Sequence, residues 1–170
     1  MKLAASIVAL VVLASHAADV PVSYKLVKAG DTQKQLITTY PDTRCVVLRT
    51  LTRCELRGQS WDDLDAITIS FFVIDGVIER IGVQIRPEDW EKALATLRSR
   101  HGNASAAAPT SMAQDEVARE IWAASDGSTA RAQKFGGRAP FAVVTLSTAK
   151  ALALEAKAGA QRVAVPKPGM

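Results

Sequence analysis

The chain has few of the side chains on which most enzymes depend. Only two of its 170 residues are cysteine and two are histidine, and aromatic residues make up 5%. His16 falls in the N-terminal apolar segment, so His101 is the one histidine of the expected mature chain. One histidine and two cysteines cannot close a tetrahedral metal shell, and no motif places a nucleophile in a strand-to-helix turn. We therefore predict no metal, no cofactor, no catalytic residue and no enzymatic activity.

An excess of charge of one sign is also lacking. The chain carries 21 lysine and arginine residues against 17 aspartate and glutamate residues, a formal charge of +4. These basic residues are scattered among acids, whereas nucleic-acid binders concentrate them in a stripe with aromatic stacking platforms. The composition argues against nucleic acid as the partner. A mildly basic chain can still be attracted to an acidic protein face.

Long apolar runs are confined to the N-terminus. The segment after Lys2 is apolar from residue 3 to residue 14 except for Ser6, and small residues follow at positions 15 and 17. This pattern is typical of a secretory signal peptide, and the run is shorter than the roughly 20 residues of a spanning helix. We interpret residues 1–17 as a signal peptide that is cleaved off. No cysteine follows the cleavage site, so we expect no lipid anchor. The expected location is periplasmic or extracellular, without stable membrane insertion.

The cysteines Cys45 and Cys54 lie in a segment rich in valine, leucine and threonine. If residues 44–55 form a hairpin centred between Arg49 and Thr50, the two cysteines face each other directly across the strands. Opposed antiparallel residues are close enough for a disulfide, which an exported protein can keep. We therefore predict a structural Cys45–Cys54 bridge; a reactive thiol pair is the alternative.

Hydrophobic periodicity and turn residues divide the rest of the chain into helices and strands. Asp31 is a candidate N-cap for the first helix, and Pro87 opens a second whose apolar stripe ends at Gly102. The predicted elements are helices at 32–40, 87–101 and 147–158, a strand pair at 44–55, hairpins at 66–85 and 120–135, and a last strand at 141–146.

Two hairpins are predicted around Asp-Gly turns. In residues 66–85 the apolar side chains on both sides of the turn are odd-numbered, and only an odd-length loop keeps them on one face. We therefore predict a three-residue loop at 74–76, with Glu79 on the apolar face. The same register around residues 125–127 pairs Trp122 with Ala130.

Together these elements predict an α+β fold. Antiparallel β-meanders would pack against two main helices in a single domain at residues 18–158, stabilised by one disulfide, with a flexible C-terminal tail at 159–170. The two Asp-Gly turns are 51 residues apart and each follows a helix. This spacing indicates two pseudo-repeats.

A helix-meander-helix-meander order with an early disulfide hairpin, over Gly30 to Leu146, resembles the tandem periplasmic modules of the β-lactamase inhibitor protein type. It is also similar to the single-module envelope assembly lipoproteins. Together with the signal segment and the missing catalytic constellation, this layout predicts a non-enzymatic exported protein that binds another exported or envelope protein, as an inhibitor, immunity factor or envelope accessory. A small-ligand or envelope-polymer binder is the alternative function, and a hydrolase using Glu79 or Asp63 is a third.

Five residues are candidates for partner binding. Trp61 and Trp122 lie near strand starts and are either core or contact residues, with core favoured. Phe72 and Ile74 project from the hairpin face opposite Phe71, where an exposed aromatic would suit a partner contact. Glu79 is either an acid in a salt bridge at the sheet rim or a functional acid.

The remaining polar candidates have structural interpretations. His101, next to Gly102, would place a cation at a helix C-terminus, with general base as the alternative. The acidic run Asp62, Asp63 and Asp65 lacks the glycine and the distal glutamate of a calcium loop, so we expect a solvated turn.

Overall fold

The computed structural model describes residues 20–105 and 116–163, with side chains up to residue 159. The predicted signal peptide at 1–17 and the end of the predicted tail, at 164–170, lie outside the described residues.

In the described ranges the chain forms three α-helices and eleven β-strands. The helices are α1 (Gln33–Thr39), α2 (Trp90–His101), which follows a 3₁₀ turn at Pro87–Asp89, and α3 (Ala149–Val163). The strands are β1 (Ser23–Tyr24), β2 (Val27–Lys28), β3 (Arg44–Val47), β4 (Thr52–Arg57), β5 (Ser60–Trp61), β6 (Leu64–Asp65), β7 (Thr68–Ile74), β8 (Val77–Ile85), β9 (Glu116–Ala123), β10 (Thr129–Phe135) and β11 (Phe141–Ser147).

Seven of these strands form one antiparallel sheet in the order β3-β4-β7-β8-β11-β10-β9. The last strands of the two predicted meanders, β8 and β11, pair with each other and join them. Two short hairpins, β1-β2 and β5-β6, lie outside the sheet. The predicted α+β class is confirmed, while the pseudo-repeat stays a prediction. No helix in the described part of the chain is long and apolar enough to cross a membrane.

The β3-β4 hairpin has the predicted register. Cys45 pairs with Cys54, and Leu48 donates its backbone N–H to the carbonyl of Leu51 around the turn. The two cysteines form a disulfide with a Cα–Cα separation of 4.0 Å, and the described part of the chain has no free cysteine. The predicted bridge is confirmed.

The β7-β8 hairpin places the odd-numbered apolar residues of both strands on one face, as expected, but not through the predicted loop. Ile74 pairs with Val77 around a two-residue turn in which Asp75 and Gly76 both have positive φ, 51° and 86°. Such turns match the twist of the strands better than the predicted three-residue loop. The register then shifts at Glu79, a β-bulge, so that Phe71 pairs with Ile81. The loop prediction was therefore wrong, because the extra residue lies in the strand instead of the turn.

The β9-β10 hairpin has the predicted three-residue loop. Trp122 pairs with Ala130, and Ala124 donates its N–H to the carbonyl of Ser128 across residues 125–127. The two Asp-Gly turns therefore have different geometries.

The core lies on one face of the sheet. Phe71, Ile81 and Val83 from the central strands are fully buried and pack with the α2 stripe. Residues from every covering element join this cluster: Val20, Val22, Tyr24, Val27, Leu36, Trp61, Leu64, Trp90, Ala93, Leu94 and Leu97. The apolar stripe predicted for the Pro87 helix is thus the face that covers the sheet.

The N-cap of the first helix is the residue that follows the predicted one. Thr32 is the N-cap, because its side chain accepts from the Gln35 N–H while the Gln35 side chain accepts from the Thr32 N–H. Asp31 instead accepts from the backbone N–H of Lys28. At the other end of the chain, α3 continues to Val163, beyond the predicted helix end at residue 158.

The acidic run at residues 62–65 is tied to α2. Asp62, with φ of 52°, lies in the β5-β6 turn and is paired with Arg100. The backbone carbonyl of Asp63 accepts from Lys92 Nζ at 2.6 Å. The run is therefore an exposed turn that is docked on α2 through the Asp62 side chain and the Asp63 backbone.

Candidate protein-interaction surface

The face of the large sheet opposite the core, called here the open face, carries polar and charged side chains. Most of its members are half-buried or exposed; Ile74, Gly82 and Ser147 are buried, and the side chain of Glu116 is 3% exposed. The strand registers arrange them in rows across the sheet. One row is Val46, Arg53, Phe72, Arg80, Ser147 and Thr129, and the next is Arg44, Glu55, Ser70, Gly82, Thr145 and Arg131.

Phe72 lies near the middle of this face, between two arginines. It pairs with Arg53 on one side and with Arg80 on the other. A Cβ atom placed on Gly82 would lie 3.6 Å from Cε2 of Phe72. The ring therefore covers the strand position that lacks a side chain, an arrangement that stabilises glycine in a sheet. Phe72 remains half-buried and keeps part of its ring available.

Arginines outnumber acids on the open face. Six arginines (Arg44, Arg53, Arg57, Arg80, Arg119 and Arg131) share it with Glu55, Glu116 and the incoming Glu155 of α3. Glu55 lies 3.1 Å from Arg53 Nε and 3.8 Å from Arg57 Nη2, so one carboxylate serves two cations. Arg131 makes no ion pair within the described residues, and its Nε atom is buried without a hydrogen-bond partner. The face therefore keeps a positive excess.

The arginines nearest β3 are the accessible ones. The side chains of Arg57 and Arg53 are 79% and 44% exposed, against 21% for Arg80 and 16% for Arg119. Arg80 is held by Ser147 Oγ at 3.0 Å and by Glu155 at 2.7 Å. The exposed cations of the open face therefore lie at its β4 end, whereas the less exposed ones are held by other side chains, Arg80 in the middle of the sheet and Arg119 on β9.

Glu79 is an internally satisfied acid. The β-bulge places it at the edge of the core with 9% of its surface exposed. One carboxylate oxygen accepts from Thr148 Oγ1 at 2.7 Å, and the other lies 3.4 Å from Lys150 Nζ. The partners come from the start of α3, so this ion pair joins β8 to that helix. It matches the interpretation of a salt bridge at the rim, with a lysine as the partner.

Both Asp-Gly turns contact the first turn of α3. Lys150 Nζ lies 2.9 Å from Asp75, and this hydrogen bond is the main cause that raises the pKa of Lys150. A Cβ atom on Gly127 would lie 3.0 Å from Cβ of Ala149. Beside it, hydrogen bonds from the Ser128 side chain and backbone lower the pKa of Asp126. The two turns are therefore linked through consecutive residues of one helix.

Four of the five candidate contact residues are buried, Glu79 among them. Ile74 is 8% exposed, Trp61 3% and Trp122 2%. The indole N–H of Trp122 donates to the carbonyl of Gly102 at 2.8 Å. For both tryptophans this is the core placement that the sequence favoured. Ile74 and Phe72 do not form a flat exposed patch together, so Phe72 is the candidate that the open face retains.

His101 is a half-buried residue whose Nδ1 atom lacks a hydrogen-bond partner among the described residues. Burial, and then the neighbouring Arg100, lowers the pKa of His101 below 6.5. The lowered pKa disfavours the helix-terminal cation that we expected.

Two of the clefts on the described surface have volumes of about 350 and 330 Å³. The first lies between β2 and α1, and the second is lined by residues around Val22, Ser128 and Lys150. Glu79 lines neither. Within the described ranges, no three histidine, cysteine, aspartate or glutamate side chains are grouped to hold a metal ion.

The arginines of the open face were not among the contact residues predicted from the sequence. The alternation of Arg53, Glu55 and Arg57 along β4 is a local signal that they share one face. Arg80 and Arg131 had no such signal, because the place of Arg80 beside Phe72 and that of Arg131 beside Thr145 depend on the pairing of strands.

No protein-family model matches the chain, and neither the curated proteins nor the solved structures contain a significant match.

Proposed function

We propose that the protein is an exported, non-catalytic module that binds another exported or envelope protein through the open face, at the end formed by β4, β7 and β8. The observation that carries the proposal is the cross-strand row of Arg53, Phe72 and Arg80 on a face that the core does not use. Arginine and aromatic side chains are the residues that most often anchor protein interfaces.

The charge of this face indicates the chemistry of the partner. Arg53 and Arg57 share one carboxylate, and both are substantially exposed. An acidic surface would supply the missing counter-charges and would be steered toward this end of the sheet. We therefore expect an acidic protein surface as the partner, which suits an inhibitor, an immunity factor or an envelope accessory protein.

Two features support the exported location. The disulfide Cys45–Cys54 requires an oxidising compartment to persist. The apolar segment at residues 1–17 has the composition of a secretory signal.

Affinity capture with matched charge variants tests this function. The mature chain would be immobilised and exposed to an envelope extract, beside an Arg53→Glu/Arg57→Glu variant, a Phe72→Ala variant and a control. The control is Lys28→Glu/Lys34→Glu, which makes the same change of charge at two exposed residues by the first cleft. We expect a saturable acidic partner that the control retains and the arginine variant loses about tenfold or more.

Two results would contradict the proposal. Absence of any saturable protein partner would remove the protein-binding function. Equal capture by all variants would place the contact on another surface. Thermal unfolding of each variant checks that a loss of capture does not come from a loss of folding.

A further inference from the structure

Strand β3 is an edge strand with little burial of its own. It is the first strand in the sheet order, and only Cys45 among its four residues is even half-buried. Val46 and Val47 are 55% and 81% exposed, and Leu48 after them is 41% exposed. The disulfide fixes β3 against β4, so an exposed apolar strand stays in place at the edge of the sheet.

The pairing pattern identifies the backbone groups that face outward. Leu48 bonds to Leu51 at the turn, and hydrogen-bonded and non-hydrogen-bonded pairs alternate from there along an antiparallel ladder. Val46 is therefore in a hydrogen-bonded pair, while Cys45 and Val47 are in non-hydrogen-bonded pairs. The Cα–Cα separation of 4.0 Å between Cys45 and Cys54 fits the closer, non-hydrogen-bonded type. The N–H and C=O groups of Cys45 and Val47 thus point away from the sheet.

The outward backbone groups of β3 and the arginines around it indicate which kind of segment could bind at this edge. Alternating outward donors and acceptors on a strand are satisfied by a second extended strand. Exposed Arg44 and Arg49 lie at the two ends of the edge, and Arg53 and Arg57 lie on the next strand. A second copy of the chain would bring the same cations, whereas an acidic segment would neutralise them.

We propose that β3 accepts an extended acidic segment of the partner protein as an added strand, hydrogen-bonded to Cys45 and Val47. This inference rests on the proposed function, because it specifies how the partner of that module docks. The added strand extends the sheet beside β4, and its alternate side chains reach the open face next to Arg44 and Val46. The disulfide lowers the entropic cost of binding by keeping the edge formed.

Amide hydrogen exchange with defined peptides tests the proposal. The probe is a short peptide of alternating glutamate and valine, and the control peptide alternates lysine and valine. With the acidic peptide we expect exchange at the Cys45 and Val47 amides to slow by about tenfold or more, while the Val46 amide, already bonded to β4, changes little. The lysine peptide should leave all three amides unchanged.

Variants of Val47 distinguish the contribution of its backbone N–H from that of its side chain. Val47→Pro removes the outward N–H, and we expect it to abolish the added protection at Cys45. Val47→Ala keeps the N–H and should retain most of it. A folded Val47→Pro protein, shown by unchanged amide shifts in β7 and β8, makes the comparison valid.

Each other outcome would overturn the proposal. Unchanged exchange at Cys45 and Val47 with the acidic peptide would show that the edge does not accept such a strand. Equal protection by the lysine peptide would remove the acidic specificity. Protection that grows with protein concentration and without peptide would identify a second copy as the occupant. Capture of a partner by Val47→Pro at wild-type level would leave the open-face function intact and refute this inference alone.

Discussion

The two edges of the large sheet are held in different ways. The β3 edge has four residues, is mostly exposed, and is joined to β4 by a disulfide. The β9 edge has eight residues and is partly covered by the chain that follows α2. There Ser105 donates its backbone N–H to the Ile121 carbonyl at 2.8 Å, and its side chain accepts from the Ala123 N–H at 3.1 Å.

The two edge strands therefore differ in whether their outward backbone groups can still bond to a further strand. Hydrogen bonds from Ser105 occupy the outward groups of β9 near its end, and the bulge between Lys134 and Phe135 disturbs the other end. Both devices discourage a further strand from pairing. A disulfide instead fixes β3 through side chains and leaves its outward backbone groups free. One edge is therefore closed by its own chain, while the other is stable and open.

Removal of the disulfide should have the largest effect on this comparison. For Cys45→Ala/Cys54→Ala we expect a loss of about 2.5–3 kcal/mol in the free energy of unfolding, because the reduced unfolded chain regains loop entropy. Amides of β3 should then exchange much faster than those of β9. Urea unfolding and hydrogen exchange measure both, with the reduced and alkylated wild type as a second route to the same state. A loss below about 0.5 kcal/mol would show that β3 does not depend on the bridge.

Proline substitutions should distinguish the inward and outward positions of β3. Val46→Pro removes an N–H that faces β4, so we expect it to cost about 1–3 kcal/mol of unfolding free energy. Val47→Pro removes an N–H that faces solvent and should cost clearly less. Urea titration of the pair is the measurement. Equal costs would contradict the assigned direction of the backbone groups.

Substitution of Ser105 should loosen the β9 edge alone. Ser105→Ala loses the hydroxyl that bonds to Ile121 and Ala123, and we expect a cost of about 0.5–1.5 kcal/mol in unfolding free energy. The Ala123 amide should exchange faster while β3 amides do not change. Ser99→Ala, at an exposed position of α2, is the matched control. Unchanged exchange at Ala123 would mean that Ser105 does not protect this edge.

The smallest effect should come from pH, through His101 beside the segment that covers β9. Its pKa is lowered in the folded protein, so the unfolded chain takes up the proton first as pH falls below 6.5. Stability is thus unaffected above pH 6.5 and decreases below it until the folded ring is protonated, by less than about 1 kcal/mol since the ring is partly solvated. Urea midpoints at pH 7.5 and 5.5 measure this, and His101→Gln should remove the histidine part of the change. An identical pH response in His101→Gln would rule out His101 as its origin.

Local patterns were sufficient to predict most of the elements. The α2 stripe of Trp90, Ala93, Leu94 and Leu97 is buried as its spacing predicts. The registers of β3-β4 and β9-β10 followed from turn length and from the cysteine positions. These features depend on residues close in sequence, for which the geometry of one turn or one helix face is decisive.

The turn geometry of the first Asp-Gly hairpin could not be predicted from residues close in sequence. The pattern required odd-numbered apolar residues on one face, which is correct, but it could not tell a longer loop from a bulge. The bulge at Glu79 is stabilised by Thr148 and Lys150, which are about 70 residues away in the chain. The first helix differs, because Asp31 was the predicted N-cap, whereas Thr32 and Gln35, only three residues apart, form the capping box.

By itself the sequence determined the α+β class, the disulfide, the core stripe of α2 and the expectation of export, because each depends on composition or on short spacing. The tertiary structure alone decided that Arg53, Phe72 and Arg80 form one row, and that β3 lies at an open edge while β9 is covered. The physical reason is that strand order brings together side chains and backbone groups with no local relation. Only hydrogen bonding between distant strands, and burial of the opposite face, selects which groups remain free.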